Sequence, residues 1–282
     1  MLKVAIQGIA GCYHETAARR YFNSRQLEPV CCSSFDALFA ALAEDMSLLG
    51  IVAIENTIAG SLLTNYELLR RSDLTIIGEY KLRISHVLAA LPGETLATLR
   101  EVNSHPIALM QCETFLKSHP QLKIVETSDT AESARDIAAQ HLGGHAAVCS
   151  EQAAGIYGLE VLERGIETNK HNFTRFLVVA DRSNELASTR GRSIDKASIV
   201  FTLPHTQGSL SKVLTILSFY DVNLTKIQSM PIIGREWEYR FYVDVSFDDP
   251  IRYRQAIEAV RPLLSDFRSL GEYAAFTEQP EK

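Results

Sequence analysis

The sequence contains no apolar run of about 18 residues, the length a helix needs to cross a bilayer, so no membrane contact is expected. Its five cysteines, Cys12, Cys31, Cys32, Cys112 and Cys149, are odd in number and form no C-x-x-C pair. Neither a disulfide framework nor a zinc site is signalled, and most of the thiols are expected to be reduced and buried. Eight histidines are present without H-E-x-x-H or comparable spacing, which leaves no metal to expect. Gly8 and Gly11 stand three apart with no third glycine, so the first turn is neither a dinucleotide fingerprint nor a phosphate loop, and no cofactor is implied. Positive charge is not in excess. With 28 Lys and Arg against 34 Asp and Glu the net charge is -6, which argues against nucleic acid as the main partner. The opening residues run directly into a strand-like segment without the apolar core and cleavage site of a secretory signal, and the chain reads as cytoplasmic.

What is present is an ordinary globular balance, 46% hydrophobic and 22% charged over 282 residues, long enough for two domains with separate cores. Residues 3–8 read as a strand ending in a glycine turn, followed by a helix from Tyr13 to about Tyr21. A strand, a glycine turn and a helix start can present backbone N–H groups to an anion, but turn geometry alone is the more common reason for such glycines. Residues 35–43 have helical spacing and 49–54 form a short buried strand, which delivers Glu55 and Asn56 to its carboxyl end, where open α/β sheets collect ligands. Ser61 is expected to cap the next helix. Residues 74–90 are long and apolar, interrupted by Glu79, Lys81, Arg83 and His86, and suggest extended strands passing into a second lobe. There, a strand at 100–103 leads through a Ser104-His105-Pro106 turn into a helix at 107–116, with Ser104 and Gln111 on one face. Asp129 is a capping-box candidate for the helix that follows.

Asn172-Phe173-Thr174-Arg175-Phe176 runs straight into the apolar Leu177-Val178-Val179-Ala180. An amide, a hydroxyl and a guanidinium are thereby expected together at the mouth of a buried strand. Arg suits a carboxylate because its planar fork donates two parallel hydrogen bonds and keeps its charge. A strand start with one solvated Arg is the bland alternative. Two α/β lobes, crossed near residue 80 and again near 165, would leave a cleft between them. After a polar linker at 181–195 the grammar changes to βαββαβ over 196–282, the ferredoxin-like order, with a sheet edge suited to pairing.

Six stretches in order carry a resemblance: Gly8-Ile9-Ala10-Gly11; Ile54-Glu55-Asn56 with Gly60-Ser61; Ser104-His105-Pro106 with Gln111-Cys112; Asp129-Thr130-Ala131; Ala153-Ala154 with Tyr157-Gly158-Leu159; and Asn172-Phe173-Thr174-Arg175-Phe176. On these the chain resembles prephenate dehydratase over nearly its whole length, with a C-terminal ACT domain. The resemblance implies a two-lobed, periplasmic-binding-protein-like (type II) catalytic region at 1–180 and an ACT regulatory domain at 196–282. It implies a carbon–oxygen lyase that converts prephenate to phenylpyruvate, carbon dioxide and water on the route to phenylalanine, in a homodimer or homotetramer. Thr174 is then expected to assist departure of the ring hydroxyl, with Glu55, Asn56, Ser104 and Gln111 completing the catalytic network. Arg175, Phe176, Asn172 and Gly11 are expected to bind substrate. Gly208, Ser209, Leu210, Asn223 and Leu224 are expected to bind L-phenylalanine as effector. The chain departs from the family pattern at Ile9, Cys12, His14, Ala53 and Thr57, and carries Gln228-Ser229-Met230-Pro231 where the family has Glu-Ser-Arg-Pro. Arogenate, with an amino group in place of the keto group, is an alternative substrate. A non-catalytic amino-acid sensor is the alternative of another class.

Overall fold

The structure is a computed structural model and describes residues 2–23, 26–187 and 193–277. In chain order β1 (Leu2–Gln7), α1 (Tyr13–Phe22), β2 (Leu27–Cys32), α2 (Phe35–Glu44), β3 (Leu49–Asn56), the two-residue β4 (Gly60–Ser61), α3 (Leu63–Arg71) and β5 (Leu74–Arg83) come first. Next are β6 (Val87–Ala90), β7 (Glu101–Ser104), α4 (Pro106–Gln111), α5 (Glu113–Lys117), β8 (Lys123–Glu126), α6 (Thr130–Ala139), β9 (His145–Cys149), α7 (Glu151–Ile156) and β10 (Glu160–Arg164). Then β11 (Phe173–Asp181) precedes β12 (Lys196–Thr202), α8 (Ser209–Phe219), β13 (Asn223–Pro231), β14 (Tyr239–Ser246), α9 (Pro250–Val260) and β15 (Asp266–Tyr273).

These strands form three sheets, ordered β2-β1-β3-β11-β5 with β4 paired to β3, β10-β6-β9-β7-β8, and β13-β14-β12-β15. The first two are the sheets of a two-lobed α/β fold. β11 enters the first sheet between β3 and β5 although some 90 residues separate it from β5, so the strand carrying Thr174 is central and buried from Arg175 to Ala180. The third sheet is antiparallel throughout, covered by α8 and α9 over a core that includes Phe201, Val213, Leu217, Val243 and Ile257. By contacts the chain divides into two compact units. One is Met1–Ala41, Gly50–Leu62 and Tyr80–Phe176; the other is Leu42–Leu49, Leu63–Glu79 and Leu177–Lys282.

Several elements differ from the sequence reading for identifiable reasons. The helix expected at 107–116 is two short helices, broken at Cys112, whose φ of -100° and ψ of 18° interrupt the regular turn. Ser104 ends β7, and His105 takes the cap position, accepting from Ile107 N. Ser61 lies in β4 rather than at a cap, since α3 starts at Leu63. Asp129 does cap α6, accepting from Ala131 N and Glu132 N. Pro262 marks the end of α9, after which the chain makes a 3-10 turn at Arg261–Leu263. Of the linker expected at 181–195, residues 188–192 lie outside the described residues, and Glu185–Ala187 form a 3-10 turn. Four thiols are buried, but Cys31 is exposed. Among the described residues no helix is long and apolar enough to cross a membrane.

Candidate active site

Where β3 ends, Asn56 turns its amide inward. Its Oδ1 accepts from Ile58 N at 3.0 Å and Ala59 N at 2.9 Å, a local turn that fixes which end of the amide faces which way. That leaves the two hydrogens of Nδ2 shared among Asn172 Oδ1 at 2.8 Å, Thr174 Oγ1 at 3.0 Å and Phe173 O at 3.2 Å. Residues 116 to 118 positions apart in sequence are thus held on one amide. The start of β11 is tied down a second time: Thr57 N donates to Phe173 O at 2.9 Å, and Phe173 N donates to Thr57 Oγ1 at 3.0 Å. Thr174 accepts from Asn56, so its own proton is left to point elsewhere; among the described residues nothing takes it. Thr174 is half-buried, while Arg175 to Ala180 beyond it are buried.

Gln111, at the end of α4 and 6% exposed, joins from the second lobe through Nε2, 3.5 Å from Asn56 Oδ1. Behind it stand two residues that the sequence reading did not assign to the site. His86 Nε2 lies 2.9 Å from Gln111 Oε1, and His86 Nδ1 lies 2.8 Å from the Tyr13 hydroxyl. The His86 backbone N donates to Glu167 Oε2 at 3.0 Å, which anchors the imidazole from its main chain. Burial lowers the His86 pKa from its usual 6.5, so the ring is neutral near pH 7.

Other expected site residues are placed differently. Ser104 is fully buried and donates its hydroxyl to Val148 O at 2.6 Å, a strut between β7 and β9 rather than part of the Asn56 group. Phe176 is 1% exposed and meets the His14 ring edge-on at 5.0 Å, which makes it core. His14 itself is held neutral, its pKa lowered to about 3 by burial, and accepts from Ala53 N. Asn172 is fully buried; it reaches the site only through Asn56, and its own Nδ2 has no partner among the described residues. Arg175 follows Thr174 on a strand, where successive side chains take opposite faces, and it is 8% exposed. The structure therefore does not set the hydroxyl and the guanidinium side by side. Glu55 is half-buried on the face of β3 opposite Asn56, and its backbone pairs with Ser61.

The N-terminal glycine turn is a clasp. Gly8 N donates to Cys32 O, Gly11 N to Glu15 Oε2 at 2.7 Å and Cys12 N to Ile9 O, so these N–H groups are not offered to an anion. Tyr157 Oη donates to Ala10 O and Ser150 Oγ to Gly11 O, which fastens the turn onto α7. Gly11, with φ at +88°, has Ala153 Cα only 2.7 Å from where a Cβ would sit. Glycine is required there for close approach.

Comparison with known proteins fits this geometry. A family model described as prephenate dehydratase matches residues 4–184. This chain belongs to the prephenate dehydratase family. Within the family, arogenate dehydratase/prephenate dehydratase 2, chloroplastic, of Arabidopsis thaliana is 37% identical over 98% of this chain and 74% of its own length. A solved structure described as prephenate dehydratase in complex with L-Phe from Arthrobacter aurescens superposes with a TM-score of 0.86 at 26% identity, covering 97% of this chain and 90% of that one. A structure described as GqqA, a novel type of quorum quenching acylase, is similar to the same degree, with a TM-score of 0.86 at 29% identity over 97% of this chain and 98% of that one.

Proposed function

We propose that this dehydratase acts on prephenate, with Thr174 as the hydrogen-bond donor to the departing ring hydroxyl. In that reaction the bond to the ring carboxylate breaks and releases carbon dioxide. Its electron pair enters the ring as the C–O bond opposite breaks, and the oxygen leaves as water after taking a proton. Aromatisation drives the step, so the protein has only to orient the dianion and stabilise the leaving oxygen. The observation that carries the reading is the Asn56 amide, which donates to Thr174 Oγ1 while its own oxygen is fixed by two backbone N–H groups. A hydroxyl that already accepts one hydrogen bond is oriented to give its proton. A donor placed where charge develops contributes roughly a hundredfold or more in rate. Gln111 is assigned to the polar side beside Asn56, while Arg175 and Glu55, on the opposite faces of β11 and β3, are left out of the substrate contacts.

An acylase would need an activated nucleophile. The Ser104 proton is committed to a carbonyl, and burial pushes the thiols of Cys12, Cys112 and Cys149 up to about 12, so elimination suits these groups better. Arogenate is the second reading, favoured by the paired name of the Arabidopsis relative. The C-terminal βαββαβ sheet is assigned as an ACT module taking L-phenylalanine near Gly208–Leu210 and Asn223–Leu224, in a dimer or tetramer. Support comes from the Arthrobacter complex and from Gly208, whose φ of +76° starts α8 tightly. Ser209 Oγ is spent locally on Pro204 O and Thr206 O, which leaves backbone groups for the effector. The test is turnover of prephenate and of arogenate, each with and without L-phenylalanine, by wild type and Thr174→Ala. Prephenate turnover lost in Thr174→Ala with ligand binding kept is the expected result. No turnover of either compound by folded wild type overturns the enzyme reading in favour of a sensor.

A further inference from the structure

We infer that Tyr13 and His86 are positioning residues of this site, fixing the direction of a line of hydrogen bonds that ends on the Thr174 hydroxyl; the inference rests on the dehydratase reading above. The argument begins at the far end. Asn56 Oδ1 already accepts from two backbone N–H groups, so the Asn56 amide has one possible orientation. Toward that oxygen Gln111 must present its NH2 group, which turns its own oxygen to His86 Nε2, 2.9 Å away. An amide oxygen only accepts, so Nε2 carries the hydrogen.

His86 is 1% exposed and neutral, and a neutral imidazole has a single N–H. Nδ1 is therefore a bare lone pair, and the 2.8 Å contact with Tyr13 Oη is made by the phenol proton. Tyr13 has a competing acceptor in Ser85 O at 2.9 Å. Were the proton given there, two lone pairs would face each other between Tyr13 and His86, so donation to Nδ1 is the satisfied state. The protons then all point one way, from Tyr13 to His86, Gln111, Asn56 and Thr174.

Hydrogen bonds in a line polarise one another, each by about 10–30%. The line branches at Asn56 toward Asn172 Oδ1 and Phe173 O, and its third branch ends at the half-buried Thr174 hydroxyl, whose proton has no acceptor among the described residues and which the departing oxygen of the substrate completes.

The experiment combines kinetics with histidine NMR. In His86→Leu the N–H facing Gln111 is lost, whereas in His86→Gln an amide N–H takes the place of Nε2–H. We expect His86→Leu to lower kcat about tenfold, less than the roughly hundredfold loss for a donor that touches the reacting atoms, with KM within about twofold of wild type. His86→Gln recovers most of that loss, and Tyr13→Phe gives an intermediate one. A purely structural role would move stability and KM and would not distinguish Gln from Leu. In protein labelled with 15N-histidine, the signal missing from His86→Gln should report Nε2–H with unprotonated Nδ1 at neutral pH. The opposite tautomer overturns the inference, and so does wild-type kcat in His86→Leu. Absence of turnover by wild type would instead sink the dehydratase reading and the catalytic role with it, while the tautomer still decides the hydrogen-bond direction.

Discussion

Lys196 and Glu79 form a buried ion pair that can be tested quantitatively. Lys196 Nζ lies 2.8 and 2.9 Å from the two carboxylate oxygens, the side chains are 8% and 1% exposed, and Phe276 N donates to Glu79 Oε1 at 3.0 Å. Replacing Lys196 with Met keeps the aliphatic stem and removes the charge. A buried carboxylate stripped of its cation costs about 3–5 kcal/mol, whereas replacing both partners with apolar side chains is often neutral. Lys196→Met should therefore lower the melting temperature by on the order of 10 °C. Lys196→Met/Glu79→Leu should recover all but about 1 kcal/mol, the remainder reflecting the lost acceptor for Phe276 N. Thermal melts of wild type and the two variants at neutral pH test this. A single variant that loses less than about 1 kcal/mol, or a double variant as unstable as the single, would refute the reasoning.

Glu67 receives Arg70, Tyr242, Arg71 and Arg240, and hydrogen bonding led by Arg70 holds its pKa down at about 2 from 4.5. Its stabilisation is full above pH 4.5 and fades as pH falls toward 2, so Glu67→Gln should flatten that part of the acid-unfolding curve. Gly11→Ala should cost about 2–5 kcal/mol in denaturant unfolding, because a Cβ meets Ala153 and φ is positive. Gly60→Ala, with φ at +84° and nothing within 4 Å, should cost only about 1–2 kcal/mol. Cys31 is the exposed thiol, so native protein should take up one maleimide quickly and the rest only on unfolding, as mass spectrometry would show.

Local order in this chain is legible where one period dominates. Residues 35–43 and 210–219 show helical spacing and become α2 and α8 within one residue at each end. β2 escaped notice because Glu28 and Pro29 look like loop residues; it is an edge strand, where a missing N–H is tolerated. The break at Cys112 was hidden because apolar spacing continues across it. At the site, Asn56, Gln111 and Thr174 could be named from motifs, since polar residues at strand ends are conspicuous. Tyr13 could not, because a Tyr opening a helix is unremarkable, and His86 was visible only as one polar interruption in an apolar run. Ser104, Phe176 and Gly11 looked alike as motif members, yet a buried hydroxyl on a carbonyl, a ring in the core and a glycine against Ala153 are structural solutions that spacing does not reveal.

The late insertion of β11 between β3 and β5 bears on how the chain is made. Until Phe173–Asp181 has left the ribosome, β3 and β5 each lack a neighbour, and Asn56 waits for partners more than a hundred residues downstream. Such distant pairing is slow because the chain must close a long loop before any contact rewards it. A nascent or truncated chain ending before Phe173 therefore carries two open edges in the middle of its first sheet, the kind of surface that recruits other chains. The strand that presents the Thr174 hydroxyl also seals the sheet against aggregation.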